Sequence, residues 1–113
     1  DIIEIHRIKD VCIKYPERFM KKVFTDQEIS YCRGRYPQIA ARFASKEAVM
    51  KALGTGIRGV PWKSIEVYRQ RGKAPEILLH GNAKNKAEEL GIKRIALSIS
   101  HSRNYAVATV VAE

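Results

Sequence analysis

Apolar residues recur at Ile2, Ile5, Ile8, Cys12 and Tyr15, a helical spacing, so the chain is expected to open with an amphipathic helix. Asp1 stands at its entrance with Glu4 three residues on, the pattern of an N-cap and its capping-box partner, and Pro16 closes the helix. Thr25 followed by Glu28 repeats the capping-box pattern and predicts a second helix ending near Gly34. A third is expected from Pro37 to Leu53, because proline suits a first turn and Gly54 suits a stop. Past Gly54 the period changes. Ile65 and Val67 alternate with Glu66 and Tyr68 as in a half-buried strand, Arg69–Ala74 with Gly72 reads as a turn, and Ile77–Leu79 as the next strand. Asn82 is placed to cap a short helix through Leu90, with Gly91 beyond its end. Ile95–Ile99 and Tyr105–Val111 read as two further strands joined by a hairpin at Ser102, Arg103 and Asn104. The last strand shows no polar-out alternation, so it is expected to be covered on both faces. Helices first and antiparallel strands later give an α+β class.

Composition narrows this picture. With 113 residues and 45% hydrophobic content, residues 1–113 are expected to form one domain with a modest core that oligomerisation can reinforce. No apolar run approaches the length of a membrane span and no signal-peptide pattern is visible, so no membrane partner is expected. Cys12 and Cys32 lack zinc-ligand spacing and read as buried free thiols, which points to a reducing, cytoplasmic setting. The net charge of +9 calls for a polyanion: nucleic acid, an acidic protein or a phosphate-rich small molecule.

Candidate chemistry is concentrated in four places. The third helix carries Arg42, Lys46, Glu47 and Lys51. Glu47 and Lys51 are four apart and can form a plain solvated ion pair, but Phe43, Ala44 and Ala48 beside Glu47 give its face an apolar character that asks for a cation. Asp1 reads first as a cap, and a capping carboxylate still has a second oxygen for a metal; two carboxylates with phosphate oxygens and waters are a usual way to hold Mg²⁺. Gly54-Thr55-Gly56 reads as a helix stop and, more weakly, as backbone that lets a phosphate approach. Ser98-Ile99-Ser100-His101-Ser102 ends a strand in hydroxyls and a histidine, without a nucleophile placed beside a base. Arg7, Lys9, Lys14, Arg18, Lys21 and Lys22 cluster around Tyr15 and Phe19, a mixture that nucleic-acid binders also show.

In order, the segments Asp1-Ile2-Ile3-Glu4-Ile5-His6-Arg7-Ile8, Ala41-Arg42-Phe43-Ala44-Ser45-Lys46-Glu47-Ala48, Lys51-Ala52-Leu53-Gly54-Thr55-Gly56 and Ser98-Ile99-Ser100-His101 resemble the holo-acyl-carrier-protein synthase family, the small trimeric branch of the phosphopantetheinyl transferases. Trp62–Val67 is similar to the strand that follows the family's glycine turn. The resemblance implies transfer of 4'-phosphopantetheine from coenzyme A to a serine of apo acyl carrier protein, with release of 3',5'-ADP, in the service of fatty acid biosynthesis. It implies Mg²⁺ on Asp1 and Glu47, catalytic roles for Glu47 and Lys51, and coenzyme A contacts from Arg42, Lys51, Gly54, His101 and Ser102. Glu47 would act as base directly or through a water. Carrier-protein docking falls to Arg7, Lys14, Arg18, Lys21 and Lys22, and the active unit is a homotrimer with each site shared between two chains. The family has a short glycine-containing strand before the aspartate, expected here ahead of Asp1, and its Gly-Lys-Pro turn is replaced by Gly72-Lys73-Ala74-Pro75. Two other readings compete: a small basic nucleic-acid-binding domain, which explains the charge but not why Asp1, Glu47 and Lys51 should converge, and a catalytically inactive carrier-binding module.

Overall fold

The computed structural model describes residues 1–113 except the side chain of Ile57. Its elements run β1 (Ile2–Glu4), α1 (Ile5–Lys14), α2 (Pro16–Val23), α3 (Asp26–Cys32), α4 (Tyr36–Leu53), a short α5 (Gly56–Gly59), a 3₁₀ turn (Trp62–Ser64), β2 (Ile65–Tyr68), β3 (Glu76–Leu79), α6 (Gly81–Glu89), β4 (Ile95–His101) and β5 (Tyr105–Ala112). The α+β class holds: antiparallel β1, β5 and β4 form one sheet in that order, and β2 and β3 a second.

The opening segment departs from the expected helix. Ile2–Glu4 pair with β5 in the register Ile2 to Val107, Ile3 to Ala106 and Glu4 to Tyr105. The pairing continues at Asp1, whose carbonyl accepts the Ala108 N–H at 2.8 Å and whose backbone nitrogen donates to the Ala108 carbonyl. Asp1 therefore stands just before β1, backbone-bonded to β5, and caps nothing; α1 starts at Ile5 after Glu4, with no side-chain cap. Pro16 does close α1, and it also opens α2, a helix that the apolar spacing does not signal. The capping box is present in full: Thr25 Oγ1 accepts the Glu28 N–H at 3.2 Å while Glu28 Oε1 accepts the Thr25 N–H at 2.9 Å. Near the other end of the chain, α6 begins after His80, so Asn82 is not its cap.

Helix α4 runs as expected, with Pro37 in its first turn and Gly54 ending it at φ 71°, a left-handed backbone that glycine adopts freely. Its Ala44 and Ala48 pack on Ala108 of β5, and such small side chains bring the helix axis close to the sheet. Ile39, Ala40 and Ala41 join Ile5, Ile8, Phe24 and Ala106 on one flank, and Val49, Met50 and Leu53 join Val60 and Ile65 on the other. Burying an aliphatic side chain of this size contributes about 1.5–3 kcal/mol, so α4 is the element around which the core is organised.

A buried polar cluster fixes the rotation of α4. The Lys46 ammonium is fully enclosed and donates to Glu28 Oε1 at 2.8 Å, the Ile65 carbonyl at 2.5 Å and the Trp62 carbonyl at 3.1 Å. Glu28 Oε2 accepts the Val67 N–H at 2.8 Å. Alongside, the Thr25 hydroxyl donates to Glu66 Oε2 at 2.7 Å, and Glu66 Oε1 lies 3.0 Å from His80 Nε2. Strand β2 is consequently buried at Ile65, Glu66 and Val67 and is not half-solvated, because its glutamate is a member of this cluster. Burial alternates along β5: Ala106 and Ala108 are enclosed by α4, while Tyr105, Val107, Thr109 and Val111 lie exposed on the opposite face. The expectation of cover on both faces is met on one face within this chain.

Candidate active site

A cleft of about 560 Å³ lies between the β1–α1 segment and α4. Its apolar wall includes Ile8, Val11, Phe19 and Phe43, and its charged groups are Asp1, Glu4, Arg7, Glu47 and Lys51. Phe43 is held in place by Trp62, their ring centroids stacked at 5.0 Å. Asp1 enters from the strand. Glu47 and Lys51 enter from α4, where four positions amount to about one turn and put both on the same side. The Lys51 ammonium does not pair with Glu47; it meets Asp1 Oδ1, with the aspartate side chain 9% exposed and the lysine 71%.

Glu47 is half-buried. Burial pushes its carboxyl above the ordinary glutamate value, and the nearby charges of Lys51 and Arg7 offset only part of that. An ionised Glu47 is thus held at some cost, the condition in which a carboxylate gains most from a cation. Asp1 and Glu47 supply hard oxygen donors from two elements, a donor set that fits a magnesium ion shared with phosphate oxygens. Among the described residues no group of three or more His, Cys, Asp or Glu side chains could hold a metal ion, so an ion on Asp1 and Glu47 would take its other ligands from outside the chain.

Arg42 and His101 are together, but elsewhere. They line a second cleft of about 210 Å³ with Tyr31, Gln38, Arg69 and Ser100. Arg42 precedes Glu47 by five positions and Lys51 by nine, so on a helix of 3.6 residues per turn it points about 140° and about 180° away from them. The residues expected to contact coenzyme A are therefore divided between two sides of α4. Gly54 is the left-handed residue closing α4, and Ser102 sits in the β4–β5 turn, where its hydroxyl accepts the Tyr105 N–H at 3.2 Å. Neither lines either cleft. The turn at Ser102–Asn104 is the expected hairpin.

Arg7, Lys14, Arg18, Lys21 and Lys22 are all exposed on α1 and α2. Between these helices runs a shallow groove lined by Val11, Tyr15, Arg18, Phe19 and Lys22, apolar at its base and basic at its rim. The residues that sequence reasoning missed are Tyr31 and Arg69. Neither belongs to a spaced motif, and only the fold brings α3 to the loop after β2. Cys32 is buried, which lifts its thiol to about 11, and Cys12 is half-buried; both are free.

The profile of the 4'-phosphopantetheinyl transferase superfamily matches residues 1–110. The holo-[acyl-carrier-protein] synthase of Halothermothrix orenii is 47% identical over 116 residues, covering 100% of this chain and 93% of the relative. That of Natranaerobius thermophilus is 49% identical, covering 98% and 91%. Among solved structures, the Helicobacter pylori holo-[acyl-carrier-protein] synthase in complex with coenzyme A superposes with a TM-score of 0.91 at 32% identity, covering 100% of this chain and 96% of that one. The Neisseria meningitidis enzyme gives 0.90 at 35% identity, covering 100% and 94%. A fold matched over its whole length and a sequence matched at nearly half its positions lead to one conclusion: the chain belongs to the 4'-phosphopantetheinyl transferase superfamily and is an enzyme of its holo-acyl-carrier-protein synthase family.

Proposed function

We propose that residues 1–113 act as one catalytic unit that transfers 4'-phosphopantetheine from coenzyme A to a serine hydroxyl of an apo acyl carrier protein, with Mg²⁺ and with release of 3',5'-ADP. The observation that carries this reading is the convergence of Asp1, Glu47 and Lys51 on one cleft from two elements far apart in sequence. Asp1 and Glu47 would hold Mg²⁺ together with pyrophosphate oxygens, and the ion would neutralise charge growing on the leaving phosphate. Lys51 is exposed and long enough to donate to that phosphate as the bond to the 3',5'-ADP oxygen breaks. The serine oxygen attacks the β-phosphorus, and Glu47 would take its proton directly or through a water. No covalent enzyme intermediate is required.

The groove between α1 and α2 is the docking surface for the acidic carrier protein, its rim supplied by Arg18 and Lys22 with Arg7, Lys14 and Lys21 nearby. The active unit is a homotrimer. Supporting this is the outer face of the larger sheet, where Ile2, Ser100 and Val107 share one row, Ser98 and Thr109 a second, and Ala96 and Val111 a third, with the carboxylate of Glu4 confined to the edge row that it forms with Tyr105. Ile2 is 62% and Val111 53% exposed, and a second copy is the natural cover. Opposed placement of the two clefts on α4 leads to the same arrangement: a coenzyme A that engages Lys51 of one chain reaches Arg42 and His101 of the next. Two unpaired cysteines support a cytoplasmic setting.

Thermal shift with coenzyme A plus Mg²⁺, set against an oligonucleotide, tests the site directly. Stabilisation by the first and not the second is expected, and the reverse would move the chain to the nucleic-acid reading.

A further inference from the structure

Tyr31, at the end of α3, is encircled by arginines. The Arg42 guanidinium lies 4.0 Å from its ring centroid and that of Arg35 5.5 Å away. Arg69 donates from Nη1 to the Tyr31 hydroxyl at 3.1 Å while its Nε donates to the Lys73 carbonyl at 3.1 Å. Arg35 is occupied with backbone, bonding the Cys32 and Tyr31 carbonyls at 2.9 and 2.7 Å. Arg42 is not: it is 2% exposed, its Nε has no partner, and its Nη1 reaches only the Gln38 carbonyl at 3.4 Å. Among the described residues none of these three arginines is ion-paired with a carboxylate. Buried arginines are almost always paired, so positive charge gathered here without a counter-ion asks for an anion from outside the chain. Tyr31 and Arg69 line not only the cleft that holds Arg42 and His101 but also the adjoining one formed by Arg71 and Gly72 of the β2–β3 loop.

We infer that Tyr31 is a positioning residue whose ring stacks Arg42 and whose hydroxyl orients Arg69, so that the two guanidiniums form a receptor for the phosphomonoester that distinguishes coenzyme A from dephospho-coenzyme A. The inference rests on the proposal that this cleft takes a coenzyme A phosphate, and adds to it the residues that set its selectivity. A planar guanidinium suits a phosphate dianion because it offers parallel N–H donors, but only when its plane is held still. Tyr31 does this for Arg42 by stacking. It does so for Arg69 through the hydroxyl, which anchors an exposed loop arginine at the mouth of the cleft. The electrostatics agree: burial would raise the phenol, yet Arg42 and Arg69 outweigh it and bring Tyr31 below its ordinary value.

The test is steady-state kinetics of Tyr31→Phe, Tyr31→Leu and Arg42→Ala with coenzyme A and with dephospho-coenzyme A. Tyr31→Phe keeps the ring and frees Arg69, so KM for coenzyme A should rise about 5-fold with kcat unchanged, the effect of one hydrogen bond. Tyr31→Leu also removes the stacking surface and should raise KM by at least about 10-fold. Neither variant should alter KM for dephospho-coenzyme A. Equal changes with both substrates, a change in kcat alone, or no change in Tyr31→Phe while Arg42→Ala abolishes the discrimination would each overturn the role of Tyr31. If Arg42→Ala keeps full preference for coenzyme A, the cleft is not the phosphate site and the inference falls with that reading. Melting curves of Tyr31→Phe establish that the fold is intact, so the test stands even if Tyr31→Leu does not fold.

Discussion

Replacing Lys46 by methionine should be among the most damaging single changes in this chain, although Lys46 touches no cleft. Methionine matches the length of the lysine stem, so packing is largely kept and the loss is electrostatic. Three contacts disappear: Glu28 Oε1 at 2.8 Å, the Ile65 carbonyl at 2.5 Å and the Trp62 carbonyl at 3.1 Å. Glu28 is 1% exposed and is left as a buried carboxylate without its cation. Breaking a buried pair from one side costs about 3–5 kcal/mol. The lower end applies, because Glu28 still accepts the Thr25 and Val67 N–H groups at 2.9 and 2.8 Å. At about 4–8 °C per kcal/mol for a domain of this size, a 3 kcal/mol loss lowers Tm by roughly 12–24 °C. The assay is calorimetry at one fixed protein concentration, so that the same mass-action condition applies to parent and variant. The double variant Lys46→Met/Glu28→Gln should lose less than the sum of the single losses, as expected for a coupled pair. A Tm drop of under about 4 °C in Lys46→Met, or strict additivity in the double variant, would refute the idea that this pair fixes the rotation of α4.

Other expectations follow from the same geometry. Glu47→Gln should abolish transfer while leaving Tm at pH 7 unchanged or higher: the folded protein holds the Glu47 proton more tightly than the unfolded chain, so ionisation above pH 4.5 works against folding and glutamine removes that penalty. Calorimetry beside the transfer assay checks it, and a lower Tm would assign Glu47 a structural role. Lys51→Ala should lower kcat more than it raises KM for coenzyme A, because charge on the leaving phosphate is greatest in the transition state; an effect confined to KM would reduce Lys51 to a binding contact. For Glu66 the sign is opposite. Burial would raise its carboxyl, but the Thr25 hydroxyl and His80 hold it below the ordinary value, so its stabilising contribution is present above pH 4.5 and is lost as pH falls through the lowered value. Acid unfolding of Glu66→Gln should accordingly show a shallower pH dependence than that of the parent. Reversing charge at Arg7, Lys21 and Lys22 should weaken use of the carrier protein, in a salt-dependent way, and spare coenzyme A binding; unchanged carrier kinetics would remove this face from docking.

The course of α4 was legible because its signals are local: Pro37 and Gly54 mark its limits, and the Arg42–Lys51 segment carries the motif that identified the family. The capping box at Thr25 and the hairpin at Ser102–Asn104 are local in the same sense. Asp1 misled for the opposite reason. Strand β1 spans three residues and exists through pairing with β5, more than a hundred positions away, while Ile2, Ile5 and Ile8 imitate a helical stripe. Ile2 belongs to the outer face of the sheet instead. Helix α2 escaped notice because its Pro16 reads equally as a stop and as a start. Lys46 is one of four charged residues along the Arg42–Lys51 stretch, and nothing in its spacing shows that Glu28 and two carbonyls wait behind it. Tyr31 and Arg69 are 38 positions apart, so their contact is visible only after folding.

The central claim is transfer chemistry, and intact-protein mass spectrometry tests it most directly. An apo acyl carrier protein incubated with this chain, coenzyme A and Mg²⁺ should gain the mass of one 4'-phosphopantetheine, with 3',5'-ADP appearing in equal amount and no gain with Glu47→Gln. An unmodified carrier, from a preparation that binds both the carrier and coenzyme A, would contradict the account and leave a carrier-binding module in its place.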